Sequence, residues 1–476
     1  MLPPIQQLTN PPERPLDASF GEKRELLDAA RRAALRYIET LDSRSVAPSV
    51  DALDALGSFH VPMPEEPTDP LAVIEMLDRL GSPATMATTG GRFYGFVVGG
   101  ALPVTTAASW LAAAWDQNAG TYALSPVAAE LEEVVSNWLL DLLDLPRESV
   151  VGFVTGSTMG TFSALATARN ELLRRSGYDM TRSGLAGAPR LRVVTSEECH
   201  PTNLATLGYV GIGLDQVEFV PTDQHGQLDV KQLPRLDQHT IVMLQAGNIN
   251  SGAFDPFSEV CQRAQQAGAW VHIDGAFGLW ARASSNYSHL AQGAEMADSW
   301  SVDGHKWLNL PQDSAVYMCR HPEAVASVFD VTATYLVRSS QRQPNTLTPE
   351  LSRRARGVEF WAALARLGRS GVADIIERTC AHARQFAKEL RAGGYEILNE
   401  VVLNQVVFGL PTEAATREAL SRIQEGGVTW LGPTTWKGRY AMRISVSSAA
   451  TTVDDVEQSI AAIVAAGHRA QRIASP

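Results

Sequence analysis

Hydrophobic residues recur along this chain in two rhythms, and the change from one to the other outlines its elements. Over residues 21–41, Leu26, Leu27, Ala30, Ala34, Leu35 and Ile38 fall at helical spacing, which predicts an amphipathic helix. A turn through Pro62, Pro64, Pro67 and Pro70 leads to a second helix over residues 71–80. Two such helices have little core of their own, so this region is expected to pack on a partner. From residue 150 onward, short β-branched runs at 150–154, 191–195, 217–220, 240–245 and 269–273 alternate with helical stretches such as 162–173. That alternation predicts a mostly parallel sheet with right-handed crossovers and helices on both faces. Residues 316–318 read as an antiparallel edge strand. Strands near 402–409 and 439–447, with helices around them, predict a small α+β domain at the C-terminal end.

One stretch imitates a membrane span: residues 96–115 contain no charged side chain. Gly99, Gly100, Pro103, Thr105, Thr106 and Ser109 interrupt it, and Asp116 follows without basic flanks, so a loop and a buried helix are expected instead. Pro and polar residues fill positions 1–19 where a secretory signal would need an apolar run. A net charge of −12 argues against a broad nucleic-acid footprint, which would need clustered Lys and Arg. The four cysteines, Cys199, Cys261, Cys319 and Cys380, lack metal-site or disulfide spacing; a reducing cytoplasm suits them and no metal site is expected.

Chemistry enters at two places. The apolar run 269–273 delivers Asp274 to the C-terminal end of a strand, the sheet edge at which ligands of open α/β folds sit. Thirty-two residues later, Lys306 stands between His305 and Trp307, an odd position for a long cation unless something holds it. Pyridoxal phosphate requires this pair: a lysine to capture its aldehyde and a carboxylate to keep its pyridine nitrogen protonated. Earlier in the chain, the strand at 150–154 runs through Thr155-Gly156-Ser157-Thr158 into a helix, a geometry that aims backbone N–H groups and hydroxyls at an anion. No Gly-Lys-Ser/Thr follows, so it is not a nucleotide loop of the Walker kind.

At these motifs the chain resembles the group II pyridoxal-phosphate-dependent amino-acid decarboxylases. Their H-V-D-A-A-Y and A-D-S…H-K-W segments are similar to residues 272–277 and 297–307 here. The resemblance extends over roughly residues 90–450 and implies a fold-type I α/β architecture with a seven-stranded central sheet. It implies that Lys306 bears the cofactor as a Schiff base, that Asp274 pairs with the ring nitrogen, and that Gly156, Ser157 and Thr158 grip the phosphate. His200 would stack on the ring, although Pro201 after it departs from the usual pattern; Asn248 stands where the family has a threonine facing the cofactor. Ala276 and His305 complete the cofactor-binding set. Segments 90–96 and 115–129, similar to the family's R-F-F-G-F strand and its S-P segment, place Phe93, Tyr94, Asn118 and Tyr122 on the substrate side; Phe96 and Trp110 are assigned to the core. Tyr335, on a polar loop, matches the tyrosine that protonates the substrate carbon once carbon dioxide has left, although residues 332–334 depart from the Asp-Pro that usually precedes it. Arg443 matches a family arginine that serves either carboxylate recognition or an ion pair between domains.

The expected protein is therefore a cytoplasmic homodimer with shared active sites, which converts an L-amino acid to its amine and carbon dioxide. A dimerisation segment at 1–90, a cofactor domain at 91–355 and a small domain at 356–476 are expected. An aminotransferase or carbon–carbon lyase on the same scaffold is the alternative.

Overall fold

The computed structural model describes residues 20–330 and 340–474, in two compact units that divide between Ala87 and Thr88. In the first unit the amphipathic pattern becomes the helix Phe20–Glu39. The helices Val50–Ala55 and Pro70–Met76 follow, each started by a side-chain cap, Ser49 and Asp69. Arg36 reaches Asp78 at 2.7 Å within this unit. Its buried hydrophobics among the described residues are Val46, Leu80 and Ala87, while Leu27, Leu35, Ile38, Val50 and Met63 are exposed.

The second unit is built on seven strands: β1 (Val150–Val154), β2 (Arg192–Ser196), β3 (Val217–Val220), β4 (Thr240–Gln245), β5 (Trp270–Asp274), β6 (Ser299–Asp303) and β7 (Ala315–Cys319). They lie in the order β1-β7-β6-β5-β4-β2-β3. β7 runs antiparallel to both its neighbours and the others are parallel. β7 is therefore antiparallel as expected, but it lies inside the sheet rather than at its edge, with every residue buried. β6 was hidden in the sequence because Ser299, Ser301 and Asp303 alternate with Trp300 and Val302 like a half-exposed strand, whereas all five residues are buried. The polar positions are satisfied internally: Ser299 Oγ bonds the Trp270 indole N–H at 3.0 Å and His272 Nδ1 at 3.1 Å.

A smaller antiparallel sheet follows, formed by β8 (Glu396–Ile397), β9 (Gln405–Gly409), β10 (Gly432–Trp436) and β11 (Arg439–Ser445) in the order β10-β11-β9-β8. The helices Gly357–Ala392, Glu413–Gly426 and Val453–Ala474 accompany it, the first kinked at Gly368, whose φ of 59° only glycine adopts readily. Segment 90–96, expected as a strand, makes only a single bridge, between Phe93 and Trp430. The uncharged stretch becomes the helix Pro103–Trp115, which packs one side on Gly357–Ala392 and turns Trp110, Leu111 and Trp115 outward. Trp110, assigned to the core from sequence, is 44% exposed. Among the described residues no helix is long and apolar enough to cross a membrane.

The core contains four fully buried tryptophans, and each indole N–H has an acceptor: Trp270 to Ser299, Trp280 to the Asp303 carbonyl, Trp300 to the Ala294 carbonyl and Trp307 to Thr379. Glu132, on the helix Pro126–Leu142, is buried against Arg353 at 2.7 Å, with Arg342 at 3.4 Å. Removing one member of such a group leaves a buried charge uncompensated. Glu132→Ala is expected to lower stability by about 3 kcal/mol, read as a shifted urea or thermal unfolding midpoint.

Candidate active site

Parallel strands that end together leave a row of loops along one edge, and here β5 and β6 bring two carboxylates to it, in the register that pairs Asp274 with Ser301. A cavity of about 340 Å³ opens there. It is lined by Gly156, Ser157 and Thr158, by His200 and Thr202, by Asp274 and Ala276, by Asp303, His305 and Lys306, and by Arg443. Gln245, Gly247, Ile249, Phe277, Phe96 and Val97 complete the wall. Seven segments distant in sequence thus meet at one place.

Each charged group is held by a specific partner. Asp274 accepts from Ala276 N at 3.1 Å through Oδ1 and from Asn203 Nδ2 at 2.8 Å through Oδ2, which fixes the plane of the carboxylate. Lys306 Nζ lies 2.9 Å from Asp303 Oδ2. His200 caps the helix Pro201–Tyr209, so Pro201 serves as the first residue of that helix and Nδ1 accepts from Thr202 N at 3.3 Å. Burial depresses the His200 pKa below the ordinary histidine value, with Asp274 opposing, so the ring is neutral near pH 7. His305 is likewise depressed by burial, and its Nδ1 accepts from Ser314 N at 3.2 Å. Arg443 donates to the Ile249 carbonyl at 2.9 Å; burial lowers its pKa to about 10, which still leaves it a cation at neutral pH. Among the described residues its partner is a carbonyl and not a carboxylate.

The anion-binding geometry expected at Gly156–Thr158 is present. Gly156 precedes the helix Ser157–Arg175 and, having no side chain, gives it no cap of its own; the Ser157 amide is taken by Asp303 Oδ1 at 2.7 Å. Ser157 Oγ is buried without a hydrogen-bond partner among the described residues, an orphan that a phosphate oxygen would satisfy. With a carboxylate, a lysine and a neutral imidazole on the same cavity, these residues fit pyridoxal phosphate.

Other expected site residues lie elsewhere. Tyr94 is 1% exposed and packs edge-on against Phe386, its hydroxyl 3.4 Å from Ser459 Oγ, so it is a core residue. Phe93 is buried, stacked on Trp430 at 5.0 Å, and does not reach the cavity wall. Asn118 is a loop clamp: its Oδ1 accepts from Gly120 N and Arg353 N and its Nδ2 donates to Ser352. Tyr122, like Asn118, is outside the cavity lining. Asn248 is buried and turns its Oδ1 to Asn250 N and Ser251 N, building the turn after β4; neighbouring Gln245 and Gly247 face the cavity instead. Tyr335 lies outside the described residues.

Sequence reasoning missed Asp303, Gln245 and Phe96. Asp303 reads as a polar residue of a motif, and only the approach of β6 to the helix Ser157–Arg175 reveals its place. Phe96 was assigned to the core but is 64% exposed at the cavity rim. It and Val97 have φ of 55° and 59°, values that non-glycine residues, and β-branched ones above all, adopt at a cost. Two residues further on, Gly99 lies so close to the Lys306 carbonyl that a Cβ there would fall 1.6 Å from the oxygen. Asn309 binds the lysine segment from the other side, donating to Ser447 O and accepting from Ala449 N.

Comparison with known proteins accords with this geometry. The family described as "Pyridoxal-dependent decarboxylase conserved domain" matches residues 59–411, well over half of the chain. An aromatic-L-amino-acid decarboxylase from Bacillus atrophaeus is 24% identical over 466 residues, covering 93% of this chain and 95% of the relative. An acidic amino acid decarboxylase, GADL1, from Xenopus tropicalis is 27% identical over 331 residues, covering 66% and 64%. Among solved structures, the Oryza sativa TDC with PLP and tryptamine superposes with a TM-score of 0.86 at 22% identity, over 96% of this chain and 99% of that one. The chain belongs to the pyridoxal-dependent decarboxylase family, and it is a pyridoxal-phosphate-dependent amino-acid decarboxylase, a carboxy-lyase.

Proposed function

We propose that this enzyme is a cytoplasmic homodimer that decarboxylates an L-amino acid with an apolar or aromatic side chain, with Lys306, Asp274, His200 and Tyr335 as its catalytic residues. The observation that carries the reading is the meeting of Lys306, Asp274, His200, the orphaned Ser157 hydroxyl and Arg443 on one cavity. When bound, pyridoxal phosphate supplies an aldehyde for a lysine amine and a ring that accepts the electron pair left at the substrate Cα.

The chain's own residues do the rest. Lys306 supplies the amine, and Asp274, its plane fixed by Asn203 and Ala276, holds a proton on the ring nitrogen. Gly156, Ser157 and Thr158 seat the phosphate at a helix N-terminus, with Ala276 and His305 beside it. His200, a neutral imidazole on the cavity wall, would pack against the bound ring without adding a charge that opposes Arg443. Arg443 would orient the substrate through a carboxylate. Phe96, Val97 and Ile249 offer the substrate side chain an apolar surface. Tyr335 protonates Cα after carbon dioxide leaves; the motif around Tyr335-Leu336 supports this role, and it separates the reading from an aminotransferase or carbon–carbon lyase.

Outward-facing Trp110, Leu111 and Trp115 on one helix, with Leu124 and Val127 shortly after, support a second copy of the chain as the cover of that face. Four free, buried cysteines suit a reducing compartment.

Lys306→Ala is expected to abolish the visible absorption of lysine-bound cofactor and its trapping by borohydride; retention of a trapped adduct would assign the attachment to another lysine. In Tyr335→Phe, assayed in air, carbon dioxide release continues while amine falls and aldehyde plus ammonia rise, dioxygen taking the two electrons and leaving as hydrogen peroxide, a partition measured by product analysis. Light scattering is expected to report a dimer for the native chain, and Trp110→Glu with Leu111→Glu to shift it toward monomer while lowering turnover at least about tenfold.

A further inference from the structure

Asp303 is the carboxylate for which the roles above have no use. It ends β6, and its side chain is 3% exposed. Oδ1 accepts from Ser157 N at 2.7 Å, the first residue of the helix Ser157–Arg175. Oδ2 faces Lys306 Nζ at 2.9 Å, and His305 Nε2 lies 3.7 Å from Oδ1. Burial alone would raise its pKa, but the Lys306 charge, the His305 charge in the acid range where that ring is protonated, and the hydrogen bonds from Lys306 and Ser157 outweigh it, so the group is held below the ordinary carboxylate range. An anion belonging to the chain thus sits at the helix N-terminus whose neighbouring hydroxyl, Ser157 Oγ, lacks a partner among the described residues.

We propose that Asp303 is an internal competitor of the cofactor phosphate: its carboxylate takes the Ser157 amide and the Lys306 cation in the cofactor-free chain, and thereby weakens phosphate capture. The inference rests on the reading of Gly156–Thr158 as the phosphate seat. The helix end offers roughly half a positive charge, and two anions have to share it. Lys306, which Asp303 engages in the cofactor-free chain, is the amine reserved for the aldehyde, so the contest with the phosphate is for the Ser157 amide and the helix end. A neutral residue at 303 would leave these to the phosphate. Asp303 is thus a positioning residue that sets how readily the cofactor exchanges, and it takes no part in breaking the substrate bond.

Asp303→Asn separates charge from shape, because the amide oxygen can still accept from Ser157 N. Calorimetric titration of the full, cofactor-stripped chain with inorganic phosphate, pyridoxal phosphate and pyridoxal reads the effect without reference to turnover. Inorganic phosphate and pyridoxal phosphate are expected to bind the variant at least about tenfold more tightly than the native chain, with pyridoxal changed less than about twofold. A merely structural tether would give the opposite, a loosened helix end and weaker phosphate binding. Unchanged or weakened phosphate affinity in the variant overturns the proposal. If the native chain takes up pyridoxal phosphate while inorganic phosphate neither binds nor competes, the phosphate-seat reading fails instead. Asp303→Ser, neutral and smaller, covers poor folding of the asparagine variant; if neither neutral variant gives a soluble chain, Asp303 is a folding residue and the proposal falls.

Discussion

Charge compensation inside one cavity governs the candidate active site. Asp274, Asp303, Lys306 and Arg443 all line a space of about 340 Å³, and an isolated charge there would carry a heavy desolvation cost. The fold supplies partners, all but Asn203 from residues of the cavity wall itself: an amide and an asparagine for Asp274, a helix N-terminus and a lysine for Asp303, a carbonyl for Arg443. Both histidines that could add positive charge are kept neutral by the same burial. The parallel sheet is what permits this arrangement, because its strands end on one edge and their loops converge.

Much of the site was legible in sequence, and for a physical reason. Lys306, Asp274 and Ser157 lie within a few residues of strand ends or helix starts, so the local pattern places them on the functional edge and their chemistry restricts what they bind. Direction within a motif was not legible. Phe93, Tyr94 and Phe96 are near neighbours, yet Phe93 and Tyr94 pack inward while Phe96 faces the cavity rim, because left-handed backbone at Phe96 and Val97 breaks the alternation a strand would impose. Asn248 carries an amide that can serve a ligand or a turn equally well, and only the positions of Asn250 and Ser251 decide for the turn.

The fold class and most strands were readable from the alternation of short apolar runs and helices. β6 was not, since its polar side chains are satisfied by buried partners that come from β5 and from the helix Ser157–Arg175. The interior position of β7 was equally hidden: direction follows from connection length, but order in a sheet depends on which neighbours compete for the same edges. Asp303 belongs to the same class of residue, its importance created by an approach of segments 146 residues apart.

The contact between Gly99 and the Lys306 carbonyl places the exposed rim and the lysine in mechanical series. The rim residue Phe96 is only three positions from that contact, and the backbone between them is held in conformations that few residues tolerate. Sequence drift at position 99 is therefore closed to every residue that carries a β-carbon, unless the main chain of Lys306 moves with it.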